Sequence, residues 1–172
     1  MNRVVVVGIG NVLMGDDALG PHAVRLLEAR YLFPPEVSVL DVGTPGLDLV
    51  PYVADSEALV VVDTVRASGA PGEVRLYRRD QILRHPPQPR VSPHDPGLKE
   101  TLLSLEFAER GPRDVLLVGV IPEGTAQGSP MSDAVRRALP AVEAAVLGEL
   151  ERLGCPASPR PEPIEPDLWW ER

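Results

Sequence analysis

The sequence predicts an α/β fold: a three-layer sandwich with a central, mostly parallel twisted sheet and helices on both faces. Three observations carry this expectation. Val4 to Val7, Ala58 to Val62 and Asp114 to Val120 are short, β-branched or aliphatic runs with little polar alternation, as in strands covered on both sides. Apolar residues between these runs recur at helical spacing. Strands that alternate with helices pair as a parallel sheet through right-handed crossovers.

The first strand stops at Gly8, where a glycine-rich loop begins, and a helix follows through Leu19, Ala23, Val24, Leu27 and Tyr31. Pro21 is tolerable there because it falls in the opening turn. Val37 to Leu40 leads into Asp41 as a second strand, and a short helix is expected over Leu47 to Val53. Ala58 to Val62 stops on Asp63. Glu73 to Tyr77 alternates as a strand with one polar face, nearer an edge. His85 to Pro96 is too rich in proline for regular structure, and Gly97 to Phe107 reads as an amphipathic helix. After the strand Asp114 to Val120, Ser129-Pro130 is expected to cap a long helix that carries Val135, Leu139, Val142, Val146 and Leu150. Pro140 should bend it. Residues 1–154 are expected to form one domain and 155–172 a proline-rich tail, with Trp169 and Trp170 either disordered or docked on a surface.

With 172 residues and 44% hydrophobic composition, the chain suits one globular unit. A net charge of −8 argues against nucleic acid or an anionic membrane as partner. The valine run at Val4 leaves no room for a signal peptide, and no apolar run approaches a membrane span, so a cytoplasmic protein is expected, with a monomer as the default. One cysteine, Cys155, provides neither a disulfide nor a zinc cluster.

Chemistry should begin in the loop after the first strand. Gly8 and Gly10 permit close backbone approach, Asn11 can tie the loop to itself, and Asp16 and Asp17 stand at the helix entrance. A single Asp there usually caps the helix, and two exceed what one cap requires. The dinucleotide pattern GxGxxG fails, since Leu13 stands three after Gly10. A carboxylate 4 Å from a phosphate would cost roughly 4 kcal/mol per charge pair at an effective dielectric near 20. The loop suits a cation or a proton donor. In parallel sheets ligands sit beyond the carboxyl ends of the strands, which gathers Asp17, Asp41, Asp63 and Glu123 at one edge, with His94 in a loop that could fold over it. Two carboxylates and an imidazole suit zinc or nickel with coordination positions open. Each residue alone has a plainer reading: caps for Asp41 and Asp63, a loop residue for Glu123, and surface positions for His22, His85 and His94.

Taken together, GIGNVLMGDDALG, DVGTPG, VVVDTV, SPHD, VGVIPE and SPMSDAVRRALPAV resemble, in order and spacing over residues 3–153, the nickel-iron hydrogenase maturation endopeptidases. That resemblance implies an aspartic-type, metal-dependent endopeptidase that trims the C-terminal extension of a hydrogenase large-subunit precursor once nickel is in place. It places the family's metal-binding residues on Asp17, Asp63 and His94, and its DGGT-type recognition turn on Asp41 to Thr44, with Val42 in place of a glycine. Ala18 stands where many members have glycine, and Asp95 where Gln or Glu is frequent. The implied nickel belongs to the substrate, with zinc or cadmium as stand-ins in vitro. Asp16 and Asp41 are the candidates for a catalytic base. A stand-alone zinc peptidase or amidohydrolase, and a non-catalytic metal-dependent assembly protein, are the alternative readings.

Overall fold

The structure is a computed structural model that describes residues 3–44, 49–84 and 97–172. Its elements are β1 (Val4–Ile9), a 3₁₀ turn (Gly15–Ala18), α1 (Leu19–Arg30), β2 (Tyr31–Leu32), β3 (Val37–Gly43), α2 (Val50–Val53), β4 (Ala58–Thr64), β5 (Val74–Arg78), α3 (Arg79–Arg84), α4 (Leu98–Phe107), β6 (Asp114–Val120), α5 (Asp133–Arg152), β7 (Ser158–Pro159) and a final 3₁₀ turn (Trp169–Glu171). Five strands form the central sheet in the order β3-β1-β4-β6-β5, and all pairs are parallel except β5 with β6. The expected edge position of β5 is therefore observed.

Side-chain parity divides the core. Val60 and Val62 of β4 pack with Leu19, Leu27, Val135, Val142 and Val146 on the α1/α5 side. Leu59 and Val61 pack with Val53, Ile82, Leu102 and Leu105 on the side of α2, α3 and α4. This gives the three layers, and the same alternation carries Asp63 and Thr64 to opposite faces.

Glycine sets how closely α1 approaches β1. A Cβ on Gly8 would overlap the carbonyl oxygen of Gly20, and one on Gly20 would overlap that of Ile9. The helix therefore begins against the strand's backbone, with no side chain between.

Several expectations need correction. The N-cap of α5 is Ser132, whose hydroxyl accepts the Val135 N–H at 3.3 Å, whereas the Ser129 hydroxyl donates to the Ala126 carbonyl in the preceding turn. Neither Asp16 nor Asp17 caps α1, whose N-cap is Ala18 with no side-chain cap bond. The predicted helix over Leu47 to Val53 is the short α2, and residues 45–48 lie outside the described residues. Helix α3 was not expected; its only buried side chain is Ile82, too little to set a period. His22, expected at the surface, is 4% exposed. The segment after α5 covers it: β7 pairs with β2, the Ile164 N–H donates to the Ala29 carbonyl at 3.0 Å, and Trp170 sets its ring edge-on to the His22 imidazole, centroids 6.3 Å apart. Burial lowers the His22 pKa, against a smaller upward pull from Glu171. His85 lies outside the described residues.

Two outcomes test this packing. Gly8→Ala should destabilise the protein by about 1–3 kcal/mol in urea unfolding, because the clash is with backbone; an unchanged midpoint would contradict the close approach. Glu149 on α5 is buried, which alone would raise its pKa, yet hydrogen bonds from Arg152 and Arg78 (2.6 to 3.1 Å) bring it down to about 2. A depressed carboxylate stabilises the fold above its unfolded pKa and loses that contribution as pH falls. Stability should thus decline between about pH 4.5 and pH 2, and Glu149→Gln should flatten that slope.

Candidate active site

The loop from β1 into the first 3₁₀ turn is fixed from within. Asn11 Oδ1 accepts the Leu13 N–H at 3.0 Å, and the Asn11 N–H donates to Asp17 Oδ2 at 2.8 Å. A Cβ at Gly10, where φ is +157°, would overlap the Asp17 carbonyl oxygen, so only glycine admits this fold-back. Asp17 is fully buried, and its Oδ1 accepts the Thr64 hydroxyl at 3.2 Å. The Thr64 N–H donates to Asp63 Oδ1 at 2.7 Å. One residue at the carboxyl end of β4 thus holds both carboxylates: its hydroxyl reaches Asp17 on the α1 side, and its amide reaches Asp63, which leans toward the α3/α4 side. Asp63 is half-buried and pairs in register with Gly119 of β6.

Asp16 faces elsewhere. Its Oδ2 accepts the N–H groups of Glu123 (2.7 Å) and Gly124 (3.1 Å) and the Ser132 hydroxyl (3.0 Å), and its Oδ1 accepts the Ser132 N–H (2.6 Å). With its side chain fully buried, this is the geometry of an anchor between the first loop, the segment after β6 and the start of α5. Glu123 contributes its amide to that anchor. Asp41, at the carboxyl end of β3 and in register with Gly8, is half-buried; its Oδ1 accepts the Gly43 N–H at 3.0 Å and its Oδ2 lies 3.4 Å from the Arg25 guanidinium.

His94 lies outside the described residues, and no group of three or more metal-ligating side chains is present among the described residues. In sequence it falls between α3 and α4, whose buried residues pack on the face toward which Asp63 leans. Cys155 is buried, which pushes its thiol pKa up, opposite to what a nucleophile needs. Among the described residues, no helix is long and apolar enough to cross a membrane. Thr64 and Ser132 went unrecognised in the sequence. Strand parity could have pointed to Thr64, since a polar side chain next to Asp63 must face the other layer, but nothing local identifies Ser132 as a partner of Asp16.

The sequence model of the hydrogenase maturation protease family matches residues 21–149, three-quarters of the chain. The chain belongs to the hydrogenase maturation protease family. The matched span contains Asp41, Asp63 and His94 and begins just after the loop with Asp16 and Asp17. Hydrogenase 2 maturation protease of Escherichia coli is 36% identical over 160 residues, covering 92% of this chain and 96% of the relative. The hydrogenase expression/formation protein HupM of Azotobacter chroococcum is also 36% identical, over 92% of this chain and 76% of its own length. The solved hydrogenase maturating endopeptidase HybD of Escherichia coli superposes with a TM-score of 0.83 at 33% identity, over 92% of this chain and 98% of that one. This maturation protease is therefore a peptide-bond hydrolase on a mainly parallel five-stranded sheet, as its sequence implies.

The two buried carboxylates should separate experimentally. Asp16→Ala strands several buried donors and should cost roughly 2–4 kcal/mol of stability in chemical denaturation. Thr64→Val keeps the side chain's shape but takes a donor from the buried Asp17 carboxylate and should cost about 1–3 kcal/mol, while peptidase activity falls; full activity in that variant would show that the bridge between Asp17 and Asp63 is not needed.

Proposed function

We propose that this maturation protease removes the C-terminal extension of a nickel-iron hydrogenase large-subunit precursor after nickel insertion, and that it recognises nickel carried by the substrate. The reading is supported chiefly by the Thr64 bridge, which delivers two hard oxygen donors, Asp17 and Asp63, to the carboxyl edge of neighbouring strands. His94, which falls between α3 and α4 in sequence, is assigned as the third donor. In this reading the three residues engage nickel held by the precursor's cysteines, so that only a loaded precursor is anchored with its scissile bond over the edge. Zinc or cadmium would serve as surrogate probes of the same donors.

Hydrolysis then needs a base for water. Asp16, whose two oxygens accept four hydrogen bonds, is badly placed for that role. Asp41 keeps it: its carboxylate is half-buried at the same sheet edge, held by the Gly43 amide and faced by Arg25.

The experiment is incubation with nickel-loaded and nickel-free precursor, following release of the C-terminal peptide. Only the loaded form should be processed, and Asp17→Asn, Asp63→Asn and His94→Ala should each slow release on the order of 100-fold or more. Equal cleavage of both precursors would refute recognition through the metal.

A further inference from the structure

The final segment is held in two different ways along its length. Up to Ile164 it is tied by backbone: β7 pairs with β2, and the Arg160 and Ile164 N–H groups donate to the carbonyls of Arg30 and Ala29. Beyond Ile164, no backbone hydrogen bond joins it to the rest of the described residues. The last turn, Trp169–Glu171, is fastened by side chains alone: Arg136 Nη2 of α5 donates to Glu171 Oε1 at 2.7 Å, and Trp170 lies edge-on to His22 of α1. This turn is one wall of a cavity of about 360 Å³ whose other wall is Val12, Gly15 and Ala18, from the loop that carries Asp17, with Met131 ahead of α5.

Under the turn, His22 Nδ1 is buried and has no hydrogen-bond partner among the described residues. Glu171 Oε1 lies 3.6 Å from it, beyond hydrogen-bond reach, and is already engaged by Arg136. The charged groups around the imidazole are Glu171 from the final turn, Arg136 from α5 and Arg30 from its own helix, two cations against one anion. Arg172, the neighbour of Glu171, faces Asp167 at 3.6 Å. An unprotonated Nδ1 tolerates this setting, whereas a proton there creates a buried cation with no acceptor in reach.

We infer that the last turn is a latch over His22, closed while the imidazole is neutral, released when it takes a proton, and hinged at residues 165–168 between the backbone-tied part and the turn. Burial holds the His22 pKa down while the turn is closed, against the smaller pull of Glu171, and exposure returns it toward the ordinary value. The open form therefore binds one proton more. Closure is complete above the ordinary histidine pKa, about 6.5, and weakens by up to about tenfold per pH unit below it. Release uncovers the α1/α5 flank of the loop that leads into Asp17, because the turn is the wall that now faces Val12, Gly15 and Ala18. The latch depends neither on which peptide the protease cuts nor on the metal.

Both tryptophans of the chain, Trp169 and Trp170, lie in this turn, and Trp169→Phe leaves Trp170 as the single reporter. In that background the emission maximum should move reversibly to the red between about pH 7.5 and about pH 5, with far-UV circular dichroism unchanged. Hydrogen exchange over residues 165–172 should rise at least about fivefold beyond the intrinsic effect of pH. His22→Gln, neutral at every pH, should hold the maximum at its starting position throughout. Glu171→Gln keeps the imidazole but loses the Arg136 pair, so its red shift should begin at higher pH. A maximum that stays fixed over that range in the parent, or that moves equally in a folded His22→Gln, would overturn the latch. Where His22→Gln does not fold, a transition unmoved in Glu171→Gln would do the same. Each of these outcomes leaves the proposed function standing, since cleavage of the precursor is read separately through release of its C-terminal peptide.

Discussion

The carboxylate of Asp16 is the constraint on which the carboxyl edge of the sheet depends. A sheet fixes its strands but not the loops that leave them, and this edge is made from loops. By accepting the amides of Glu123, Gly124 and Ser132 together with the Ser132 hydroxyl, one buried side chain joins the segment after β1 to the segment after β6 and to the first turn of α5. Ser132 serves both sides of this junction, since its hydroxyl also accepts the Val135 N–H as the helix cap. Charged acceptors make the stronger hydrogen bonds, so the junction favours an acid over an amide. Asp17, the next residue along, inherits a fixed position from it.

Most of the sheet was legible in the sequence because buried parallel strands announce themselves as unbroken aliphatic runs, and those of β1, β4 and β6 fall where expected. The gathering of Asp17, Asp41 and Asp63 at the carboxyl edge followed from topology alone. What stayed hidden depends on contacts between distant segments. Asp16 and Asp17 are neighbours of the same type, and nothing local says that one anchors three segments while the other meets Thr64. His22 looks like a surface histidine until the segment after α5 returns to cover it. The β2–β7 pair is only two residues per strand, too short for any periodicity to register.

The final segment changes how the edge should be viewed. A sequence rich in proline and poor in aliphatic residues lacks a core of its own, yet it is held here through backbone: Arg160 and Ile164 donate N–H groups to the carbonyls of Arg30 and Ala29, and the Arg160 side chain reaches the Glu28 carbonyl at 2.9 Å. These are the carbonyls that the end of α1 leaves without helical partners. The C-terminus of one helix is thereby satisfied, and the last residues are directed to the mouth of the first loop.

The alternation along β4 turns the strand end into a ruler marked in single residues. Because Asp63 and Thr64 look into different layers, adding or deleting one residue upstream within the strand would exchange their faces, presenting a hydroxyl where the acid belongs and an acid to the crowded α1 side. Natural length variation in this architecture should therefore collect in the connections on the far side of the sheet, while the interval from Ala58 to Thr64 stays invariant in length even where its aliphatic residues interchange.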